Sequence, residues 1–207
     1  MPVLQLSYLE VFSADIDQLR MECFPGCYPD GTAKDEFDDR SLHLTARIDK
    51  KLAAYMRLTP GPNAYFESVH RQRGNVPTGA NVVDFNRAMV APADRGNALF
   101  ELLVIEGLMF ACDKGFRKVV GASSPSRGFR SLLHRLGFVD TESAMPAHLP
   151  NGEIIIGLPL VAYTQGKRAL WDACKSDTLA RIRERGFVIV ESAEASPNLA
   201  AGGTGTG

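Results

Sequence analysis

The stretch Val83-Asp-Phe-Asn-Arg-Ala-Met-Val-Ala-Pro-Ala-Asp-Arg-Gly-Asn-Ala-Leu-Phe100 decides the fold. Its first half is apolar and β-prone, which predicts a strand over Asn81–Val90. Pro92 cannot donate to a ladder and ends that strand. Arg95 and Gly96 mark a turn, and a helix over Asn97–Lys114 follows at once, with Phe100, Leu103, Val104, Gly107, Leu108 and Ala111 at i, i+3, i+4, i+7, i+8 and i+11. Gly115 is placed to end it. A helix start leaves backbone N–H groups unpaired at the positive end of a dipole, so this turn is a candidate anion site. There Arg95 adds charge, and Gly96 lets a ligand approach the backbone closely.

Working outward, Asp15–Cys23 reads as a short helix, and Leu42–Ile48 and Leu52–Leu58 as a hairpin turning at Asp49-Lys50-Lys51. Pro60–Ala80 reads as a long connection, rich in proline and glycine. Downstream come a buried-type strand Lys118–Ala122, a helix Ser126–Leu136 ended by Gly137, and a strand Ile154–Tyr163. A late helix Arg168–Arg185 follows, apolar at Leu170, Ala173, Cys174 and Ile182, and then a terminal strand Phe187–Val190. Antiparallel strands followed by alternating strands and helices predict an α/β (α+β) fold on a mixed, mostly antiparallel sheet flanked by helices. Residues 1–194 are expected to form a single domain with the helix over 167–186 as an appendage. The glycine-rich 195–207 is expected to be a disordered tail.

The chain has 207 residues, 45% of them hydrophobic, and a formal net charge of −1. Residues 1–113 hold 11 Lys+Arg against 16 Asp+Glu, whereas residues 114–207 hold 12 against 8. No acid interrupts Lys114, Arg117, Lys118, Arg127, Arg130 and Arg135, a run of one sign that suits an anionic partner or a solvated face. Cys23, Cys27, Cys112 and Cys174 lack zinc-ligand spacing, and His43, His70, His134 and His148 are scattered, so no metal site is expected. No apolar run is long enough for a membrane span, and the start lacks a secretory pattern, so a cytoplasmic location is the expectation.

The order strand–Pro-x-x-Arg-Gly–helix–strand, followed by Leu136-Gly-Phe138, resembles the GNAT acyltransferases. Within that superfamily, Asp35-Glu-Phe-Asp38, Arg57-Leu-Thr-Pro60 and Val82-Val-Asp-Phe-Asn-Arg87 are similar to the signature blocks of acyl-homoserine-lactone synthases and long-chain N-acyl amino acid synthases. Arg20 and Phe24 resemble the N-terminal arginine and aromatic of the same branch. Asp84 stands where that branch carries Glu, and Asn86 where it carries Ser. Ala98 and Phe100 stand where GNATs usually carry small residues.

The resemblance implies an N-acyltransferase that needs no prosthetic group. The donor would be a phosphopantetheine thioester on coenzyme A or an acyl carrier protein, and the acceptor the amine of a small molecule. Met89, Val90, Arg95, Gly96, Asn97, Ala98 and Leu99 would hold the donor. Arg127 and Arg130, within the Lys114–Arg135 run, would meet coenzyme A phosphates or an acidic carrier protein. An amine must lose its proton before it attacks, and Asp84 is the candidate general base. Strand alternation puts Arg87 on the face opposite Asp84 and Asn86, unless a bulge intervenes. Such a bulge would free a backbone N–H for the thioester carbonyl. Arg20, Asp35, Asp38 and Arg57 would form a network organising the cleft, and Ser124, with Ser123 and Ser126, could protonate a departing thiolate. Two other readings share the fold. One is an aminoacyl-tRNA donor met by the basic late helix, and the other a module that binds a ligand without turnover.

Overall fold

A computed structural model describes residues 1–61, 79–123, 127–141, 145–148 and 154–191. Most of the expected 60–80 connection, Ser124, Ser126, His70 and the expected tail at 195–207 lie outside them. The described residues fold around one sheet. In chain order its strands are β1 (Val3–Leu9), β2 (Leu42–Ile48), β3 (Lys51–Pro60), β4 (Val82–Val90), β5 (Lys118–Ser123), β6 (Phe138–Asp140), β7 (Met145–His148), β8 (Ile154–Tyr163) and β9 (Val188–Glu191). They lie in the order β6-β8-β5-β4-β3-β2-β1-β9, with β7 also on β8. The β4–β5 and β1–β9 pairs are parallel and the rest antiparallel, so the sheet is mixed and mostly antiparallel.

The β2–β3 hairpin closes through Asp49 and Lys50, which both take positive φ (48° and 73°), the backbone of a tight two-residue turn. Asp49 also binds β1, its N–H donating to Val3 O (2.9 Å) while its Oδ1 accepts from Val3 N (2.8 Å). Strands β1, β6 and β7 are not among those expected: β1 buries Leu4 and Leu6 in alternation, a short signal, whereas β6 spans only three residues and β7 contains Pro146.

Helices α1 (Ala14–Cys23), α2 (Leu99–Asp113), α3 (Arg127–Arg135) and α4 (Arg168–Glu184) flank the sheet. Tyr55 and Met56, adjacent on β3, point to its two faces. Tyr55 packs with Ile16 and Leu19 of α1, whereas Met56 belongs to the main core with α2. Gly107 is where α2 presses on the sheet, because a Cβ there would lie 2.7 Å from Met56 Cε and 2.7 Å from Phe85 Cζ. α2 is buried almost all round, being covered by the sheet and by α4.

On α4 the buried face differs from the one expected. Trp171, Thr178, Leu179 and Ile182 are inside, whereas Leu170 and Ala173 are exposed. Trp171 sets the rotation, since it offers the largest apolar area and its indole N–H donates to Leu136 O (3.0 Å). Through Trp171, Leu179 and Ile182, α4 shares the core of the sheet and α2.

Candidate active site

The site starts from an irregularity in β4. Arg57 pairs with Asn86 and Tyr55 with Met89, so Arg87 and Ala88 stand opposite Met56 alone. This bulge is built on Arg87, whose φ of 54° is left-handed and costs a non-glycine residue about 1 kcal/mol or more. On its other edge β4 keeps register with β5 only from Val82 to Phe85, opposite Lys118 to Gly121. Beyond Phe85 the two strands part. Asp84, fully buried, lies one residue before the parting, registered between Thr59 and Val120.

On the α1 face a buried ionic network holds residues 20–41 against β3 and β4. Arg20 forks onto Asp38, Nη2 to Oδ1 at 2.6 Å and Nη1 to Oδ2 at 2.8 Å, and also donates to Ala33 O (2.9 Å) and Tyr55 OH (2.7 Å). Arg57 donates from Nη1 to Asp38 Oδ1 (2.9 Å) and to Asp35 Oδ1, and from Nε to Asn86 Oδ1 (2.5 Å). Asn86 donates onward to Thr59 Oγ1 (3.2 Å). Arg87 donates to Asp35 Oδ2 (3.1 Å) and Tyr28 OH (3.3 Å), which ties the bulge to the same carboxylates. Arg20, Asp38 and Arg57 are fully buried, so each charge depends on its partners.

The network sets its own protonation states. Burial alone would raise the Asp38 carboxyl, but the Arg20 guanidinium and its neighbours hold it at about 2. Burial pushes His43 down to about 4 and Tyr55 up to about 12. His43 Nε2 lies 3.1 Å from the Asp38 carbonyl, which can only accept, so this nitrogen carries the proton. Nδ1 then accepts from Tyr55 OH (2.8 Å), and His43 is neutral.

Beyond its last pair with β5, β4 borders a cavity of about 620 Å³. Ala88, Met89 and Val90 of β4, the turn with Asp94, Arg95 and Gly96, and the first residues of α2 form one side. Phe24, Cys23, the α3 residues Gly128, Phe129 and Leu132, and Arg181 and Arg185 complete it. Gly96 and Ala98 take φ of 89° and 59°, so the turn makes two left-handed steps before α2 begins. Ala98 is the N-cap and offers no side-chain acceptor to the first N–H groups of α2. Burial pushes the Cys23 thiol up, and the adjacent Arg95 guanidinium opposes that shift. Phe100 and Phe129 pair with centroids 4.4 Å apart.

The expected site residues therefore separate into two groups. Met89, Val90, Arg95, Gly96, Ala98, Leu99 and Phe24 border the cavity, while Asn97 does not line it. Arg20, Asp35, Asp38, Arg57, Asn86 and Arg87 meet in the network, with Asp84 beside them on β4. Arg130 binds Asp140 (Nε to Oδ1, 3.1 Å) instead of facing the cavity, and the side chain of Arg127 is outside the described set. The sequence reading missed Tyr55 and His43, although the hairpin register puts both on the face of Arg57. It also missed Arg181 and Arg185 at the cavity, for which no local pattern exists. Among the described residues no cluster of His, Cys, Asp or Glu could hold a metal ion, and no helix is long and apolar enough to cross a membrane.

No protein-family model matches the sequence, and no curated protein matches it. Solved structures do match. BjaI, a CoA-dependent acyl-homoserine lactone synthase seen with SAM and isopentyl-CoA, is similar at a TM-score of 0.63 and 18% identity, over 94% of this chain and 95% of BjaI. The acyl-homoserine lactone synthase LasI gives 0.58 and 15% over 83% of this chain and 94% of its own. MesI, another CoA-dependent synthase of this kind, gives 0.55 and 16% over 90% and 98%. The chain thus has the GNAT-like fold of these synthases, over nearly their full length.

Proposed function

We propose that this chain is a GNAT-type N-acyltransferase, moving an acyl group from a phosphopantetheine thioester to the amine of a small acceptor. The observation that carries the reading is the cavity that β4 borders beyond its last pair with β5, walled by the Arg95–Gly96 turn and the start of α2, whose N-cap Ala98 offers the first N–H groups no side-chain acceptor. A pyrophosphate suits those N–H groups and Arg95. The donor is then acyl-CoA, which shares its coenzyme A part with the isopentyl-CoA seen in BjaI, or an acyl carrier protein thioester sharing the same arm. SAM, also seen in BjaI, and amino acids are the acceptors to try first.

In the proposed reaction the acceptor gives one ammonium proton to Asp84, directly or through a water. The neutral nitrogen attacks the thioester carbonyl carbon, and a backbone N–H at the Arg87 bulge donates to the oxyanion. The carbonyl then re-forms, the C–S bond breaks, and the proton still surplus on nitrogen ends on the departing sulfur. Asn86, Arg87 and Arg57 hold the strand that carries the base. The aminoacyl-tRNA reading loses support, because three basic side chains of α4 are paired: Arg168 with Asp113 and Asp172, Lys175 with Glu106 and Arg181 with Glu101. The carrier-protein patch is likewise reduced, since Arg130 binds Asp140 and Arg135 binds Glu101.

The test is thiol release by the purified chain, with acyl-CoA, acyl carrier protein or acyl-pantetheine and a panel of amines, the amide confirmed by mass. Asp84→Asn should lower kcat by roughly 10²–10⁴-fold while the protein stays folded by circular dichroism. No thiol release from any donor would leave a non-catalytic binding module. An unchanged rate in folded Asp84→Asn would remove Asp84 as the base.

A further inference from the structure

One wall of the cavity comes from an element that no motif ties to it. α4 runs antiparallel to α2, as three ion pairs show in sequence: Arg168 with Asp113, Lys175 with Glu106 (2.8 Å) and Arg181 with Glu101 (2.7 Å). The C-terminal end of α4 therefore lies beside the N-terminal end of α2. A helix C-terminus is the negative end of a dipole and would repel an anion bound there. α4 offsets this with Arg181 and Arg183 in its last turn and Arg185 as its C-cap. Of these, Arg181 and Arg185 border the cavity and Arg183 does not.

The two cavity arginines are not equivalent. Arg181 is held by Glu101 and by Thr178 Oγ1 (2.9 Å), so it positions the helix against α2. Arg185 is exposed, and among the described residues no carboxylate forms an ion pair with it. Among the described residues that line the cavity, Arg95, Arg181 and Arg185 stand against Asp94 and Glu101, which leaves one positive charge. The Phe100–Phe129 pair supplies an apolar surface on which a base can stack.

The two donor classes share the phosphopantetheine arm and differ beyond its phosphate. Coenzyme A continues into a second phosphate, adenosine and a ribose 3′-phosphate, whereas a carrier thioester continues into protein. We propose that Arg185 is a donor-specificity residue. It takes the 3′-phosphate while Arg95 and the α2 turn take the pyrophosphate, so the cavity selects acyl-CoA over carrier-bound thioesters. This inference rests on the transferase reading for what the cavity binds. A cavity of about 620 Å³ with a few convergent cations is of the size that takes such a ligand.

The test measures binding of CoA, dephospho-CoA and phosphopantetheine to the purified chain by calorimetry, apart from any turnover. Wild type should bind CoA about 10–100-fold more tightly than dephospho-CoA, the contribution of one charge-assisted contact. Arg185→Gln should bring CoA to the dephospho-CoA level and leave dephospho-CoA unchanged. Arg183→Gln, the same charge change on a side chain away from the cavity, should leave both constants as in wild type. The inference is overturned if CoA does not bind, if Arg185→Gln weakens both nucleotides equally, or if Arg183→Gln matches it. It is also overturned if an acyl carrier protein serves at lower KM than acyl-CoA. Thiol release with no discrimination at Arg185 sinks this inference and leaves the transferase reading standing. Discrimination without thiol release from any donor does the reverse.

Discussion

Arg57 Nε donates to Asn86 Oδ1 at 2.5 Å across the last registered β3–β4 pair before the bulge at Arg87. The same guanidinium holds Asp35 and Asp38, so one side chain fastens the segment after α1 to the strand that carries Asp84. The network and the bulge are thus one mechanical unit, and weakening either should be felt in the other.

Asp38 is the most consequential member for stability. It is fully buried between Arg20 and Arg57, and Asp38→Ala leaves two buried guanidinium groups short of their anion. The expected cost is about 3–5 kcal/mol, read from urea unfolding. Asp35, whose side chain is 24% exposed, should cost clearly less on substitution by Ala. Equal losses at the two positions would refute the ranking.

Stability should fall in acid in two stages. His43 is held at about 4 in the folded chain, below its ordinary 6.5, so the unfolded state binds the proton first. Its contribution is complete above about pH 6.5 and is lost as pH falls towards 4, up to roughly 3 kcal/mol. Asp38, held at about 2, adds a second loss as pH falls from its ordinary 3.8 towards 2. Urea midpoints from pH 8 to 2 check this, and His43→Asn should flatten the upper stage. A wild-type midpoint constant from pH 7 to 4.5 contradicts it.

Arg95 is proposed to contact the donor in ground and transition states alike. Arg95→Ala should therefore raise the donor KM about tenfold and leave kcat within a few-fold. A fall in kcat at unchanged KM would assign Arg95 to the chemical step instead.

Gly107→Ala tests the contact between α2 and the sheet. The new Cβ would meet the ring of Phe85 and the end of Met56. Overpacking costs roughly 1–3 kcal/mol, against about 1 kcal/mol gained by Ala over Gly inside a helix. Net destabilisation is expected, with a lower urea midpoint, and a raised midpoint would count against the packing described. Phe85 lies between Asp84 and Asn86, so activity should fall as well.

What the sequence determined by itself is local. The pattern around Val83–Phe100 contains the strand, its end at Pro92, the turn and the helix, because alternation, proline and helical periodicity act between near neighbours. The hairpin was legible for the same reason, and with it the shared face of Tyr55 and Arg57. The resemblance of the Asp35–Asp38, Arg57–Pro60 and Val82–Arg87 blocks pointed to the residues that meet in the buried network, though not to their pairing. Tertiary structure decided the rest. The rotation of α4 followed from where Trp171 could bury its ring and still donate its N–H, a choice its own periodicity left open. Arg130 turned to Asp140, an acid ten residues away that only the α3–β6 turn brings near. Arg181 and Arg185 reached the Arg95 turn because α4 packs antiparallel on α2, and charges brought together by packing leave no trace in the spacing of either helix.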